Sequence, residues 1–68
     1  LLVDGWLVIE CDSERYHSGW AKQEADRGRD LALAALGYTT LRPTATAIMW
    51  RPEEVRAAVR GLLAARAA

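Results

Sequence analysis

Phenylalanine is absent from this chain, proline occurs twice, and histidine, methionine and cysteine occur once each. Each scarcity excludes something. A single thiol, Cys11, cannot close an intramolecular disulfide, so the chain is not a stapled secreted scaffold, and a lone cysteine suits a reducing cytoplasm. One cysteine with one histidine leaves the usual zinc sites short of ligands. Nine basic and nine acidic residues give a net charge of zero, which removes any argument from overall charge for nucleic-acid binding. No apolar run approaches the roughly 18 residues of a membrane-spanning helix, and no signal-peptide pattern occurs, so no membrane partner is expected.

What is present reads as one small globular unit: 68 residues, 51% hydrophobic and 26% charged. The chain starts already apolar, at Leu1-Leu2-Val3, without an initiator methionine. The expectation is therefore a single partial domain over residues 1–68, truncated at its N-terminus. Eight of the nine cations are arginine. Arginine reads phosphate better than lysine does, although an Arg- and Ala-heavy composition also follows from a GC-rich genome.

Asp4-Gly5 between Leu1–Val3 and Trp6–Ile9 predicts a hairpin, because a type I′ turn needs positive φ at both central positions. Asp4 is accordingly a turn residue. A polar loop follows over 13–19. From Trp20 to Leu36 the pattern is helical, with Ala21, Ala25, Ala32, Leu33 and Leu36 recurring at steps of three and four and Gly37 as the stop. Gly28 leaves open a kink or a later start near Ala25. Tyr38 to Arg42 reads as a strand ended by Pro43. Thr44 caps a short helix to Trp50, and Pro52 opens a last helix whose first turn carries Glu53 and Glu54. Val55, Ala58, Val59, Leu62 and Leu63 form its apolar stripe. Trp6, Trp20 and Trp50 read as core or interface aromatics. The order predicts an α/β fold, a short mixed sheet with flanking helices.

The chemistry concentrates around residue 10. Leu7-Val8-Ile9 reads as a buried strand, and Glu10 and Asp12 at its end project to one side, since strand side chains alternate. Two converging carboxylates are costly without a positive partner, and a divalent metal is the common solution. The bland alternative is an idle, solvated strand edge. His17 follows five residues after Asp12, as a site member or as an ordinary loop histidine. Asp26, Arg27, Arg29 and Asp30 read either as a salt-bridged solvated helix face or as a face leaning over the site. Arg42, at a strand end beside Pro43, is the best candidate for a phosphate contact. Cys11 lies between two acids and is a poor nucleophile.

Val8-Ile9-Glu10-x-Asp12, Tyr16-His17, Asp26-Arg27-x-Arg29-Asp30, Leu36-Gly37-Tyr38 and Leu41-Arg42 together resemble a bacterial domain family related to the very-short-patch-repair endonuclease. That family belongs to the PD-(D/E)XK nuclease superfamily. The resemblance runs from Val8 to about Leu63 and implies a restriction-endonuclease-like core that hydrolyses DNA phosphodiesters with Mg²⁺ (or Mn²⁺). It gives Glu10 and the backbone carbonyl of Cys11 as metal ligands and Asp12 the place usually taken by lysine. Glu10, Asp12 and His17 are then the catalytic candidates, and Arg29 and Arg42 the substrate-binding ones. The family's first catalytic Asp would fall just before Leu1, and Ser13 stands where the family has Gly. The resemblance therefore covers the C-terminal half of such a domain, without its first helix and strand. Three roles follow as expectations: a DNA endonuclease-like domain; a non-catalytic DNA-binding or assembly module behind a helix-turn-helix domain, as in antitoxin-like regulators; and a homo-oligomer formed through an exposed sheet edge.

Overall fold

Asp4 and Gly5 both adopt left-handed backbone, at φ 57° and 77°, and the Trp6 N–H donates to the Val3 carbonyl at 3.3 Å. This is the type I′ turn that the Asp-Gly pair predicts. It joins strands β1 (Leu2–Val3) and β2 (Leu7–Ile9) into an antiparallel hairpin with Leu2 opposite Val8. The computed structural model describes residues 1–12 and 19–67.

After the hairpin come α1 (Trp20–Ala35), β3 (Thr39–Leu41), α2 (Ala45–Trp50) and α3 (Pro52–Ala67). Helix α1 carries the chain back so that β3 pairs with β2 in parallel, in the strand order β1-β2-β3. Among the described residues the result is a three-stranded mixed sheet with three helices, an α/β arrangement, as expected. The parallel pairing runs on past the strands: Glu10 N–H donates to the Leu41 carbonyl (3.0 Å), and Asp12 N–H to the Pro43 carbonyl (2.9 Å). Ala45 N–H returns a bond to the Asp12 carbonyl at 3.0 Å. Residues 10 to 12 are thereby held extended at the carboxyl end of β2.

Helix α1 runs unbroken through Gly28 from Trp20, so the later start near Ala25 does not occur. It ends in a Schellman arrangement. Gly37 N–H bonds the Ala34 carbonyl, Tyr38 N–H bonds the Leu33 carbonyl, and Gly37 sits at φ 96°. Thr44 caps α2 as its sequence predicts, its hydroxyl accepting from the Ala47 N–H at 3.0 Å. Pro52 opens α3, which packs on α2, and the Arg66 guanidinium lies over the Trp6 ring at 4.5 Å. That contact fastens the last turn of α3 to the hairpin.

The side of α1 that turns inward differs from the one its apolar periodicity predicts. Gln23, Asp26, Asp30 and Leu33 are half-buried, whereas Ala21, Ala25, Ala32 and Leu36 are exposed. Three of the four inward residues are polar because α1 lies along β3, beside the charged ends of the strands. Leu31 (73% exposed) and Leu36 (76%) are left on the outside. Trp20 and Trp50 are likewise 65% and 75% exposed, so neither is a core aromatic; Trp6 is half-buried. Leu7, with no exposed surface, is the one fully buried side chain among the described residues.

Candidate functional site

Strand register builds the site. Val8 stands beside Thr40 in the parallel pair, so two residues on, by alternation, Glu10 stands beside Arg42 on the same face. Helix α1 covers that face. Its Arg29 reaches Glu10, Nη2 to Oε2 at 2.8 Å, and its Asp30 takes Arg42 in a two-pronged grip. The grip consists of Nε to Oδ2 at 3.1 Å and Nη2 to Oδ1 at 2.9 Å. Arg42 Nη1 also lies 3.5 Å from the same Glu10 oxygen. Four residues from three elements thus form one chain of charge: Arg29, Glu10, Arg42, Asp30.

The hydrogen bonds from Arg42 hold the Asp30 carboxyl below the ordinary carboxylate range; partial burial opposes this, and the nearby charges of Arg42 and Arg29 add to it. Arg42 is reciprocally held more firmly protonated, first by its bonds to Asp30 and then by the fields of Asp30, Glu10 and Asp26. Planar two-pronged Arg–carboxylate pairing is the strong form of the interaction.

Around this network opens a cleft of about 630 Å³. The sheet side contributes Glu10, Cys11, Asp12 and Arg42. Helix α1 contributes Arg29 and Asp30, together with Lys22, Gln23, Asp26 and Arg27 from its first turns. Lys22 and Asp26 pair at 3.9 Å, and Arg27 lies over the Trp20 ring at 5.9 Å. Thr40 is the weak point of the face: its hydroxyl oxygen is buried with no hydrogen-bond partner among the described residues.

Five of the six site candidates therefore meet at one cleft: Glu10, Cys11, Asp12, Arg29 and Arg42. His17 lies outside the described residues. Asp4 is on the hairpin turn, away from the cleft lining. In the Asp26–Asp30 segment, the side chains of Arg29 and Asp30 both form ion pairs that reach across to the sheet. Asp30, which lies outside the expected site residues, fixes Arg42. The signal for it was the inward spacing it shares with Gln23, Asp26 and Leu33.

Whether a divalent cation suits these residues can be judged from the donors. Glu10 and Asp12 offer hard carboxylate oxygens on one face, and the Cys11 carbonyl is another oxygen donor. No group of three His, Cys, Asp or Glu side chains that could hold a metal forms among the described residues. Mg²⁺, however, is usually held by one or two carboxylates together with waters and substrate phosphates, not by an all-protein cage. The Glu10 oxygen is already paired with two guanidinium groups, so a cation reaching it would have to displace one of them. The residues fit such an ion in kind.

Neither a family model, nor a curated protein, nor a solved structure matches the chain.

Proposed function

We propose that the cleft is the phosphodiester site of a restriction-endonuclease-like domain that acts on DNA with Mg²⁺ or Mn²⁺. The observation that carries the reading is the pairing of Glu10 with Arg42 at the carboxyl ends of two parallel strands, under a helix that adds Arg29. In open α/β sheets, ligands bind in the crevice outside the carboxyl ends of the strands. Glu10, Asp12 and the Cys11 carbonyl would hold the cation, which supplies an acidified water and neutralises charge on the phosphate. Arg42, immobilised by Asp30, offers a fixed positive edge for a phosphate oxygen, and Arg29 offers a second. A reducing cytoplasm suits the single exposed thiol of Cys11.

Calorimetric titration of the chain with Mn²⁺, beside a plasmid-nicking assay, tests the proposal. The expected result is cation binding that is lost in Glu10→Ala, together with any nicking. Absence of cation binding by the unaltered chain, or nicking that survives Glu10→Ala, rejects it.

A second reading, a non-catalytic DNA-binding or assembly module, is favoured by a different observation. The cleft balances four carboxylates (Glu10, Asp12, Asp26, Asp30) with four cations (Lys22, Arg27, Arg29, Arg42). The outer face of α1 exposes Leu31 and Leu36, and among the described residues β1 and β3 each have β2 as their one strand neighbour. Those edges suit self-association, and an upstream helix-turn-helix domain would supply the DNA contact. Gel shifts with and without Mg²⁺ separate the two readings, because a binding module retains DNA when the cation is removed.

A further inference from the structure

We infer that Arg29 is a displaceable latch on Glu10: a DNA phosphate draws Arg29 away and so opens Glu10 to a divalent cation, which makes phosphate and cation bind cooperatively. This rests on the reading of the cleft as a phosphodiester site and adds to it the order of events there.

Glu10 Oε2 carries two cationic neighbours, and they are unequal. Arg42 is gripped at both Nε and Nη2 by Asp30, and its side chain is 25% exposed. Moving it would break both bonds and strand the Asp30 carboxylate. Arg29 touches Glu10 through Nη2 alone, and its side chain is 51% exposed. It stands on α1 at the mouth of the cleft, where long side chains reorient freely. Between the two, Arg29 is the one that can leave.

A divalent cation arriving at Glu10 with Arg29 in place would meet a like charge on the same oxygen. With Arg29 moved to a phosphate, that repulsion becomes attraction to the incoming anion, and the guanidinium stays paired throughout, because its fork matches phosphate as well as carboxylate. Glu10 keeps Arg42 on one side and gains free lone pairs on the other. Linkage makes the effect reciprocal: whatever phosphate does for the cation, the cation does for phosphate.

The latch is tested by titrating Mn²⁺ into the unaltered chain, Arg29→Met and Arg29→Lys, followed by calorimetry. Methionine keeps the apolar stem and helix propensity while removing the charge. The expected result is Mn²⁺ affinity raised roughly five-fold in Arg29→Met and left near the original in Arg29→Lys. A short DNA duplex should raise Mn²⁺ affinity more in the unaltered chain than in Arg29→Met. Equal Mn²⁺ affinity in all three overturns the latch while leaving the phosphodiester site standing. No Mn²⁺ binding in any of them overturns both.

Discussion

Asp30 holds Arg42 along one edge of its guanidinium, through Nε and Nη2 at 3.1 and 2.9 Å, and in doing so ties helix α1 to the end of strand β3. The helix docks on the sheet through charge where most helices of small α/β domains dock through an apolar stripe. That choice is what leaves Leu31 and Leu36 outside and a polar cleft inside.

The pH dependence of stability follows from this pair. Arg42 depresses the Asp30 carboxyl in the folded state relative to about 3.9 in the unfolded chain. The stabilisation is therefore complete above about pH 5 and is lost as pH falls through the depressed folded value. Solvent screening at this half-buried site limits it to no more than about 1 kcal/mol. Urea midpoints should drop between pH 5 and pH 2, and Asp30→Asn should flatten that part of the profile.

Arg42→Lys keeps the charge and loses the fork. One ammonium cannot bond both Asp30 oxygens and also approach Glu10, so the substitution should destabilise the chain by about 1 kcal/mol. A double-mutant cycle with Asp30→Asn, read by urea denaturation, should return most of that loss as coupling. Additive effects would mean that the pair contributes nothing.

Thr40→Val removes a buried hydroxyl that has no hydrogen-bond partner among the described residues, beneath the Glu10–Arg42 pair, and changes little else in shape. An unsatisfied buried polar group costs about 1–3 kcal/mol. Replacing it should raise the denaturation midpoint, by roughly 1 kcal/mol or somewhat less, and a clear loss of stability would show that the oxygen has a partner.

Gly37 sits at φ 96°, a backbone region that side chains rarely enter, while closing α1 with its N–H. Gly37→Ala should cost about 1 kcal/mol through strain alone, since a Cβ there meets nothing within 4 Å. Thermal melts followed by circular dichroism would register the drop.

Features with a local cause were readable from the residues themselves. Asp4-Gly5 dictates its turn, Thr44 its cap, Gly37 its stop and Pro52 its helix start, each through backbone chemistry confined to a few residues. Alternation likewise put Glu10 and Asp12 on one face. The direction of α1 was not readable. Its alanines recur at helical spacing, yet the inward face is set by Arg42, which lies 12 residues from Asp30, and by Glu10, which lies 19 from Arg29. Ion pairs at such separations leave no periodic signature, and periodicity cannot say which face a neighbour will cover. Of the two places expected for Trp20 and Trp50, core or interface, their exposure removes the core, because size and hydrophobicity favour burial only where an element is present to do the burying.

That Leu7 alone among the described residues is wholly enclosed has a thermal consequence. The heat capacity released on unfolding follows newly hydrated apolar area, about 12–15 cal/mol/K per residue in ordinary domains. With most apolar side chains among the described residues only half-buried or exposed, the increment is expected to fall below that range, which would make the curve of stability against temperature shallow. Cooling then weakens the fold hardly at all, and heating melts it over a broad span of degrees.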